Sequence, residues 1–297
     1  MQPRTTIVTV TYNSGLVFRN FLSTIPKEIP LIIIDNASTD NTLELANELR
    51  PDAQIIYNEI GLGYGNAASR GLKKVATEFA LIANPDSLVS KEAISALEQA
   101  ADTYPDAGMF GPIHLDDNQK VELSYNVDIW HRNNTKRPKF TQIAEGPICV
   151  EFLSGAVNLI RKTAARKIGY FDPNIYLYFE DDDLCLRLRA AGYNVVLVPT
   201  SVVTHLNGGS VRPNRAYYWR KFWHFAWSRV YFERKYKGQL AALCIGSKLG
   251  AKFGLRAIAY ILIGNRKKSW RDLARFCGTV SSIFGCRATK ITHEQFD

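Results

Sequence analysis

Phe79-Ala80-Leu81-Ile82-Ala83-Asn84-Pro85-Asp86 is the stretch whose reading decides the fold. An apolar run stops abruptly at Asn-Pro-Asp, the pattern of a buried strand that delivers one carboxylate to its C-terminal edge. Pro85 has no N–H to give a sheet ladder, and it biases Asn84 away from helical geometry, so the strand ends there. In an open α/β sheet, ligands bind at the carboxyl ends of the strands. Asn-Pro is also a common turn dipeptide, so the meaning of Asp86 depends on its company.

Upstream, Thr6–Thr11 is β-branched and ends in the turn Tyr12-Asn13-Ser14-Gly15, followed by a helical stretch from Leu16 to Thr24. Leu31–Ile34 is a continuous apolar run, as expected of a strand covered on both faces. It leads into Asp35-Asn36-Ala37-Ser38-Thr39-Asp40-Asn41-Thr42, a polar loop with good cap residues for a helix over Leu43–Leu49. Gln54–Tyr57 reads as a third strand, and Gly61-Leu62-Gly63-Tyr64-Gly65-Asn66 opens a helix that runs to Lys74. Strand and helix alternate with short connections, so the first 110 residues predict a doubly wound, mostly parallel α/β layer.

Downstream, Ile113–Glu145 is polar and includes His131-Arg132-Asn133-Asn134-Thr135-Lys136-Arg137-Pro138, which predicts a long surface loop. Regular structure is expected again at Val150–Leu153 and Gly155–Ile160, then in a basic helix. Tyr176-Leu177-Tyr178-Phe179-Glu180-Asp181-Asp182-Asp183 opens a helix running through Arg189 to Gly192. Val195–Val198 is a strand leading to Val202-Val203-Thr204-His205 and then to Gly208-Gly209-Ser210.

A chain of 297 residues that is 46% apolar can bury a substantial core. Its cysteines, 149, 185, 244, 277 and 286, are odd in number and scattered. They fit reduced thiols in a cytoplasm better than a disulfide framework or a zinc site. The first residues are too polar and too short to form a secretory h-region, and no uncharged apolar run approaches the roughly 20 residues of a membrane span. The net charge of +9 is unevenly placed. Residues 211–297 hold 18 Lys and Arg against 4 Asp and Glu, a net of +14, which leaves 1–210 at −5. An acidic-to-neutral body thus carries a basic appendage suited to a polyanion.

The run Glu180–Asp183 has an ordinary reading, since acidic side chains favour helix N-termini. Against it stand the aromatic neighbours Tyr176, Tyr178 and Phe179, and the fact that crowded carboxylates hold protons more tightly, as a general base requires. His205 taken alone reads as an ordinary hydrogen-bonded histidine, yet it sits just past a strand and before a glycine-rich loop.

Seven segments occur in one order: Val10-Thr11-Tyr12-Asn13, Asp35–Asp40, Gly63-Tyr64-Gly65-Asn66-Ala67, Asn84-Pro85-Asp86, Phe152-Leu153-Ser154-Gly155-Ala156, Phe179–Leu184 and His205–Ser210. Together, over residues 5–212, they resemble the family 2 inverting glycosyltransferases of the GT-A fold, in the rhamnosyltransferase-like and galactofuranosyltransferase-like branch. The resemblance implies a nucleobase contact at Asp35, nucleotide-edge contacts at Thr11 and Asn13, and donor contacts at Gly63, Asn84 and Asp86. It implies Asp86 and His205 as ligands of Mn²⁺ or Mg²⁺, and Asp181 as the general base, with Glu180 and Asp183 on the acceptor side. Two departures stand out: Asn84 replaces the first carboxylate of the family's DxD motif, and Gly61 and Ser69 stand where relatives tend to carry Asn.

The chemistry is coherent. A departing diphosphate develops negative charge that a divalent cation neutralises, and an imidazole ligand tilts the choice to Mn²⁺ over Mg²⁺. Asp181 would take the acceptor hydroxyl's proton, typically worth 10²–10⁴-fold in rate. The implied donor is dTDP-rhamnose or another dTDP- or UDP-sugar, and the implied acceptor a saccharide or a polyprenyl-diphosphate-linked saccharide. A non-catalytic nucleotide-sugar or glycan-binding module of the same fold is the alternative, opposed by the joint presence of Asp86, Asp181 and His205. A nucleotidyltransferase would need a Gly-rich basic loop after the first strand, which Tyr12–Gly15 does not supply.

Residues 213–297 form the second expected region, after a catalytic domain at 1–212. Tyr217–Lys237 interleaves aromatic and basic residues; Lys248, Lys252 and Arg256 fall four apart, as do Gly246, Gly250 and Gly254. The glycines predict close helix packing. The basic, aromatic surface predicts peripheral contact with an anionic membrane at its cytoplasmic face. Aromatic and arginine interleaving also suits single-stranded nucleic acid, but no nucleic-acid motif accompanies it.

Overall fold

The structure, a computed structural model, describes residues 2–130, 144–206 and 214–289. The segments His131–Pro138 and Gly208-Gly209-Ser210 singled out above lie outside them. The described elements, in chain order, begin with β1 (Thr5–Thr11), α1 (Gly15–Thr24), β2 (Leu31–Asp35), α2 (Thr42–Leu49), β3 (Gln54–Tyr57), α3 (Tyr64–Lys74) and β4 (Phe79–Ala83). Then follow β5 (Ser87–Leu88), α4 (Lys91–Thr103), β6 (Ala107–Leu115), β7 (Val121–Glu122), β8 (Tyr125–Asn126), β9 (Ile148–Cys149), β10 (Phe152–Leu153) and β11 (Val157–Arg161). The chain continues through α5 (Lys162–Lys167), α6 (Glu180–Ala190), β12 (Asn194–His205), α7 (Arg215–Leu262) and α8 (Arg266–Ile283).

The chain divides into two compact units. The first holds one large sheet in the order β3-β2-β1-β4-β11-β6-β12-β5, with β7 beside β6 and β9 beside β12. The four strands from β3 to β4 are parallel, as the alternating pattern predicts, whereas β11 runs antiparallel to both β4 and β6. Every residue of β1, β2 and β4 is buried, which explains the apolar runs of β2 and β4 and the β-branched Thr, Ile and Val of β1. Against this layer α1 turns Val17, Phe18, Phe21 and Leu22, one helical stripe. Phe18 and Phe21 stack with centroids 5.8 Å apart. Truncating either to Ala costs roughly 3–5 kcal/mol.

Two strand details position the site. The long loop expected over 113–145 is in part ordered strand: β6 extends to Leu115, and Val121–Glu122 folds back on it with His114 opposite Glu122. Composition misled because two-residue strands leave no periodic signal. The β12 strand pairs with β6 on either side of a register break between Val198 and Val202. Pro199 lacks the N–H the ladder needs, and Ser201 anchors the bulge by donating to the Ala93 carbonyl at 2.8 Å. Beyond it, Thr204 and His205 pair antiparallel with Leu88 and Ser87.

The second unit comprises Leu62–Asn66, Asp172–Glu180 and the C-terminal region from Arg212. Gly63 has φ +85°, and a Cβ there would lie 2.2 Å from the Tyr176 carbonyl, so only glycine fits. Asp172 is held by Lys235 at 2.5 Å and by the Tyr231 hydroxyl at 2.9 Å. The α7 helix is broken at Gly238, which has φ 87°. Its aromatic first part packs within the unit: Trp227 and Phe232 are buried, and Phe179 lies 5.4 Å from Phe232 and 5.7 Å from Phe225. Its second part meets α8 through the predicted glycines: a Cβ at Gly246 would lie 2.6 Å from Ile283, and one at Gly254 would lie 3.3 Å from Phe276. Among the described residues no helix is long and apolar enough to cross a membrane.

Candidate active site

At the carboxyl ends of β1 and β2 the chain ties its two loops together. Asp35 is fully buried; its carboxylate accepts from the Thr11 hydroxyl at 3.0 Å and from the Ser38 N–H at 2.9 Å. Asn13, in a left-handed conformation with φ 50°, accepts from the Thr39 N–H at 2.7 Å and donates its own N–H to Ser38 at 2.9 Å. Thr11, Asn13 and Asp35 therefore form one braced edge. Asp35 shapes that edge from inside, and the half-buried Asn13 lies nearer the surface.

Asp86 and His205, 119 positions apart, are neighbours because β5 follows Asp86 at once and pairs with the last residues of β12. The Leu206 N–H donates to the Asp86 carbonyl at 2.9 Å. His205 Nε2 lies 3.5 Å from Asp86 Oδ1, and its Nδ1 lies 3.4 Å from Glu122 Oε2. Glu122 was not singled out in the sequence; the only signal for it was proximity in a strand that composition hid. Burial pushes the His205 imidazole down, but the bonds and charges of Asp86 and Glu122 outweigh it and hold the ring above its ordinary value. Behind it, His114, with ring centroids 5.9 Å apart, is driven down to about 3 by burial and by the His205 charge.

Among the described residues no cluster of three or more His, Cys, Asp or Glu forms a metal centre. A pair remains, and its chemistry fits a divalent ion of the open kind, which keeps positions for phosphate oxygens and water. Neighbouring ligands of an octahedral ion lie about 3 Å apart, close to the Asp86–His205 separation of 3.5 Å. Asn84 Oδ1, two residues before Asp86, is buried with no hydrogen-bond partner. Glu122 on the far nitrogen of His205 is the usual outer partner that fixes a ligating ring.

Asp181 reaches the same rim through β11. Its Oδ2 accepts from the Gly155 N–H at 3.0 Å. The next residue, Ala156, accepts the Asn84 N–H at 2.8 Å, and Asn84 stands two positions before Asp86. A Cβ on Gly155 would lie 2.1 Å from Asp181 Oδ1, so the glycine lets the carboxylate lie against the backbone. Immediately before α6, Tyr178 and Phe179 adopt φ of 67° and 68°, a costly conformation for aromatic residues of the kind that clusters at functional sites. The other carboxylates of the run divide differently. Glu180, Asp182 and Asp183 are buried, and Asp183 is bound to Arg187 one turn later at 2.6 Å. Asp183 is thus committed to holding α6 together. Gly63 is pinned to Tyr176 in the second unit, and Ser69 receives the Phe171 N–H at 3.2 Å.

A mixed sheet with carboxylates and a histidine gathered along the rim around Asn84 and Asp86 is the arrangement of a GT-A glycosyltransferase. The fold is shared with the mannosyltransferase PcManGT from Pyrobaculum calidifontis, solved with GDP-Man and Mn²⁺ (TM-score 0.56, 16% identity, covering 96% of this chain and 88% of that one). The model of glycosyl transferase family 2 matches residues 6–169, more than half of the chain, so the chain belongs to that family. It is 29% identical over 231 residues to the N-acetylglucosaminyl-diphospho-decaprenol L-rhamnosyltransferase of Mycobacterium tuberculosis, covering 67% of this chain and 75% of that protein. It is also 24% identical over 205 residues to the poly-beta-1,6-N-acetyl-D-glucosamine synthase of Staphylococcus aureus, where it spans 66% of its own length but only 48% of the synthase.

Proposed function

We propose that this glycosyltransferase inverts configuration, depends on a divalent metal, and moves rhamnose or a related sugar from a dTDP- or UDP-linked donor to a lipid-diphosphate-linked saccharide. What supports the reading is that Asp86 and His205 meet through the pairing of β5 with β12, and that Asp181 is tied through Gly155 and Ala156 to Asn84, two residues before Asp86. The N-acetylglucosaminyl-diphospho-decaprenol in the name of the mycobacterial relative supports the acceptor class.

Asp86 and His205 would hold the cation, Mn²⁺ or Mg²⁺, whose positive charge offsets that of the leaving diphosphate. Glu122 keeps the His205 ring turned toward Asp86 and in one tautomer. Thr11, Asn13 and Asp35 hold the loop edge where the nucleotide lies. Asp181, oriented by the Gly155 N–H, accepts the proton of the acceptor hydroxyl as its oxygen bonds to the anomeric carbon. The bond from that carbon to the diphosphate breaks, and the electron pair leaves with the diphosphate. A single displacement of this kind inverts the anomeric centre.

The test is a thermal-shift panel of dTDP-, UDP- and GDP-sugars with and without Mn²⁺, followed by transfer assays on a polyprenyl-diphosphate acceptor. A ligand held at 100 times its Kd raises stability by about 2.7 kcal/mol. Stabilisation by one nucleotide sugar only when Mn²⁺ is present is expected. No stabilisation by any donor, with or without metal, would overturn the reading.

A further inference from the structure

The part of α7 after Gly238 has two unlike faces. One carries Ala242, Gly246, Gly250 and Ala257, all buried, with Gly246 against Ile283 of α8. The other exposes apolar side chains: Leu240 is 79% exposed, Leu255 69%, Ile258 58% and Leu262 80%, and Ile261 (63%) and Ile263 (71%) flank them at the helix end. At about 100° per residue, Leu240, Cys244, Ser247, Ala251, Leu255, Ile258 and Leu262 fall within about 80° of one another, Ser247 being the one polar member. They form one stripe down the helix. Single exposed aliphatics are ordinary, but a contiguous stripe of this kind marks a partner.

Charge selects the partner. Residues 238–271 contain no Asp or Glu and seven Lys or Arg. Lys248 and Lys252 are exposed along one flank of the stripe, and Arg266, Lys267 and Lys268 are exposed at the start of α8, just beyond Ile261–Ile263. A second copy meeting this face would bring like charges together with no carboxylate to answer them. A leaflet with anionic headgroups supplies both an apolar layer for the stripe and negative charge for the flank.

We infer that the outward face of residues 239–263, with the basic turn at Arg266–Lys268, docks this chain on an anionic lipid bilayer by inserting Leu255, Ile258, Ile261, Leu262 and Ile263 among the headgroups. In the aromatic segment 217–237, Trp227 and Phe232 are buried and Tyr218 and Phe225 are exposed; the aliphatic stripe after it is the docking element. This deepens the proposed function, because it places the enzyme where a lipid-linked acceptor lies.

The test is co-sedimentation of the full chain with vesicles of phosphatidylcholine containing 30% phosphatidylglycerol, without donor or acceptor. Leu255→Ser/Ile258→Ser/Leu262→Ser is expected to weaken partitioning more than ten-fold with unchanged circular dichroism. Each of Lys248→Gln and Lys252→Gln should weaken it about five-fold, and 0.5 M salt should do so in part. Transfer to a water-soluble saccharide acceptor should be unaffected by the triple serine variant, so failure of docking and failure of the transferase reading are told apart. Three results would overturn the inference: no vesicle binding by the folded chain, equal binding by the serine variant, or self-association that the serine variant abolishes while vesicle binding persists.

Discussion

Gly155→Ala tests the assignment of Asp181 without touching that residue. The added Cβ would lie 2.1 Å from Asp181 Oδ1, 2.4 Å from Cγ and 2.5 Å from Oδ2, where ordinary contact begins at 3.4 Å. The carboxylate must therefore retreat by at least about 1.3 Å. Gly155 is not among the glycines with positive φ, so its backbone suits alanine and the conflict is one of side chains alone. Stability should change little. Losing the Gly155–Asp181 hydrogen bond costs about 0.5–1.5 kcal/mol, and replacing glycine returns about 0.4–1 kcal/mol through the unfolded chain. A misplacement of about 1 Å at a reacting group costs up to 10²-fold in rate, equivalent to about 2.7 kcal/mol of barrier. Steady-state nucleotide release should show kcat falling about 100-fold, with donor Kd by calorimetry and Tm both near wild type. A variant that folds normally and turns over at the wild-type rate would refute the reasoning.

The remaining expectations concern the metal pair and the buried histidines. Glu122→Gln should raise the Mn²⁺ concentration for half-maximal donor binding by about 10–100-fold, and His205→Ala should raise it further; an unchanged metal titration in both would remove the pair from the site. His224, stacked on Tyr176 at 4.4 Å, is pushed down to about 4 by burial and by the Arg220 charge. An unfolded histidine titrates near 6.5, so below that pH the unfolded chain takes up a proton the folded chain refuses. His224 thus contributes stability that is full above about pH 6.5 and lost as the pH falls toward 4, roughly 2 kcal/mol by pH 5. His114, held lower still, adds a second such loss. Denaturant melts between pH 7 and 5 should show a smaller loss of stability in His224→Phe than in wild type, with His205 opposing the loss in both, and an unaltered loss would contradict the burial argument.

The parallel half of the sheet was legible because β2 and β4 are covered on both faces and read as apolar runs with Asp35 and Asp86 at their ends, and β1 as a β-branched run. Asp181 and His205 were legible by resemblance. What escaped was whatever depends on two-residue strands and register: Glu122, reached only because β7 folds back on β6, and the bulge at Pro199–Ser201 that brings His205 beside Ser87. Neighbouring carboxylates also looked alike in the sequence, yet Asp183 is spent on Arg187 while Asp181 leans on Gly155. In the C-terminal region the glycine spacing was a true packing signal at Gly246 and Gly254, whereas the aromatic content did not separate the buried Trp227 and Phe232 from the exposed Tyr218 and Phe225.

Asp181→Asn provides the most direct test of the catalytic claim, by comparing donor affinity with turnover in one variant. An amide keeps the shape and can still meet the Gly155 N–H through its oxygen, but it cannot accept the acceptor's proton. Donor Kd in the presence of Mn²⁺ should stay within about two-fold of wild type while kcat falls by the 10²–10⁴-fold typical of a lost general base. Turnover that survives the substitution, or donor binding that fails in step with it, would contradict the role given to this carboxylate.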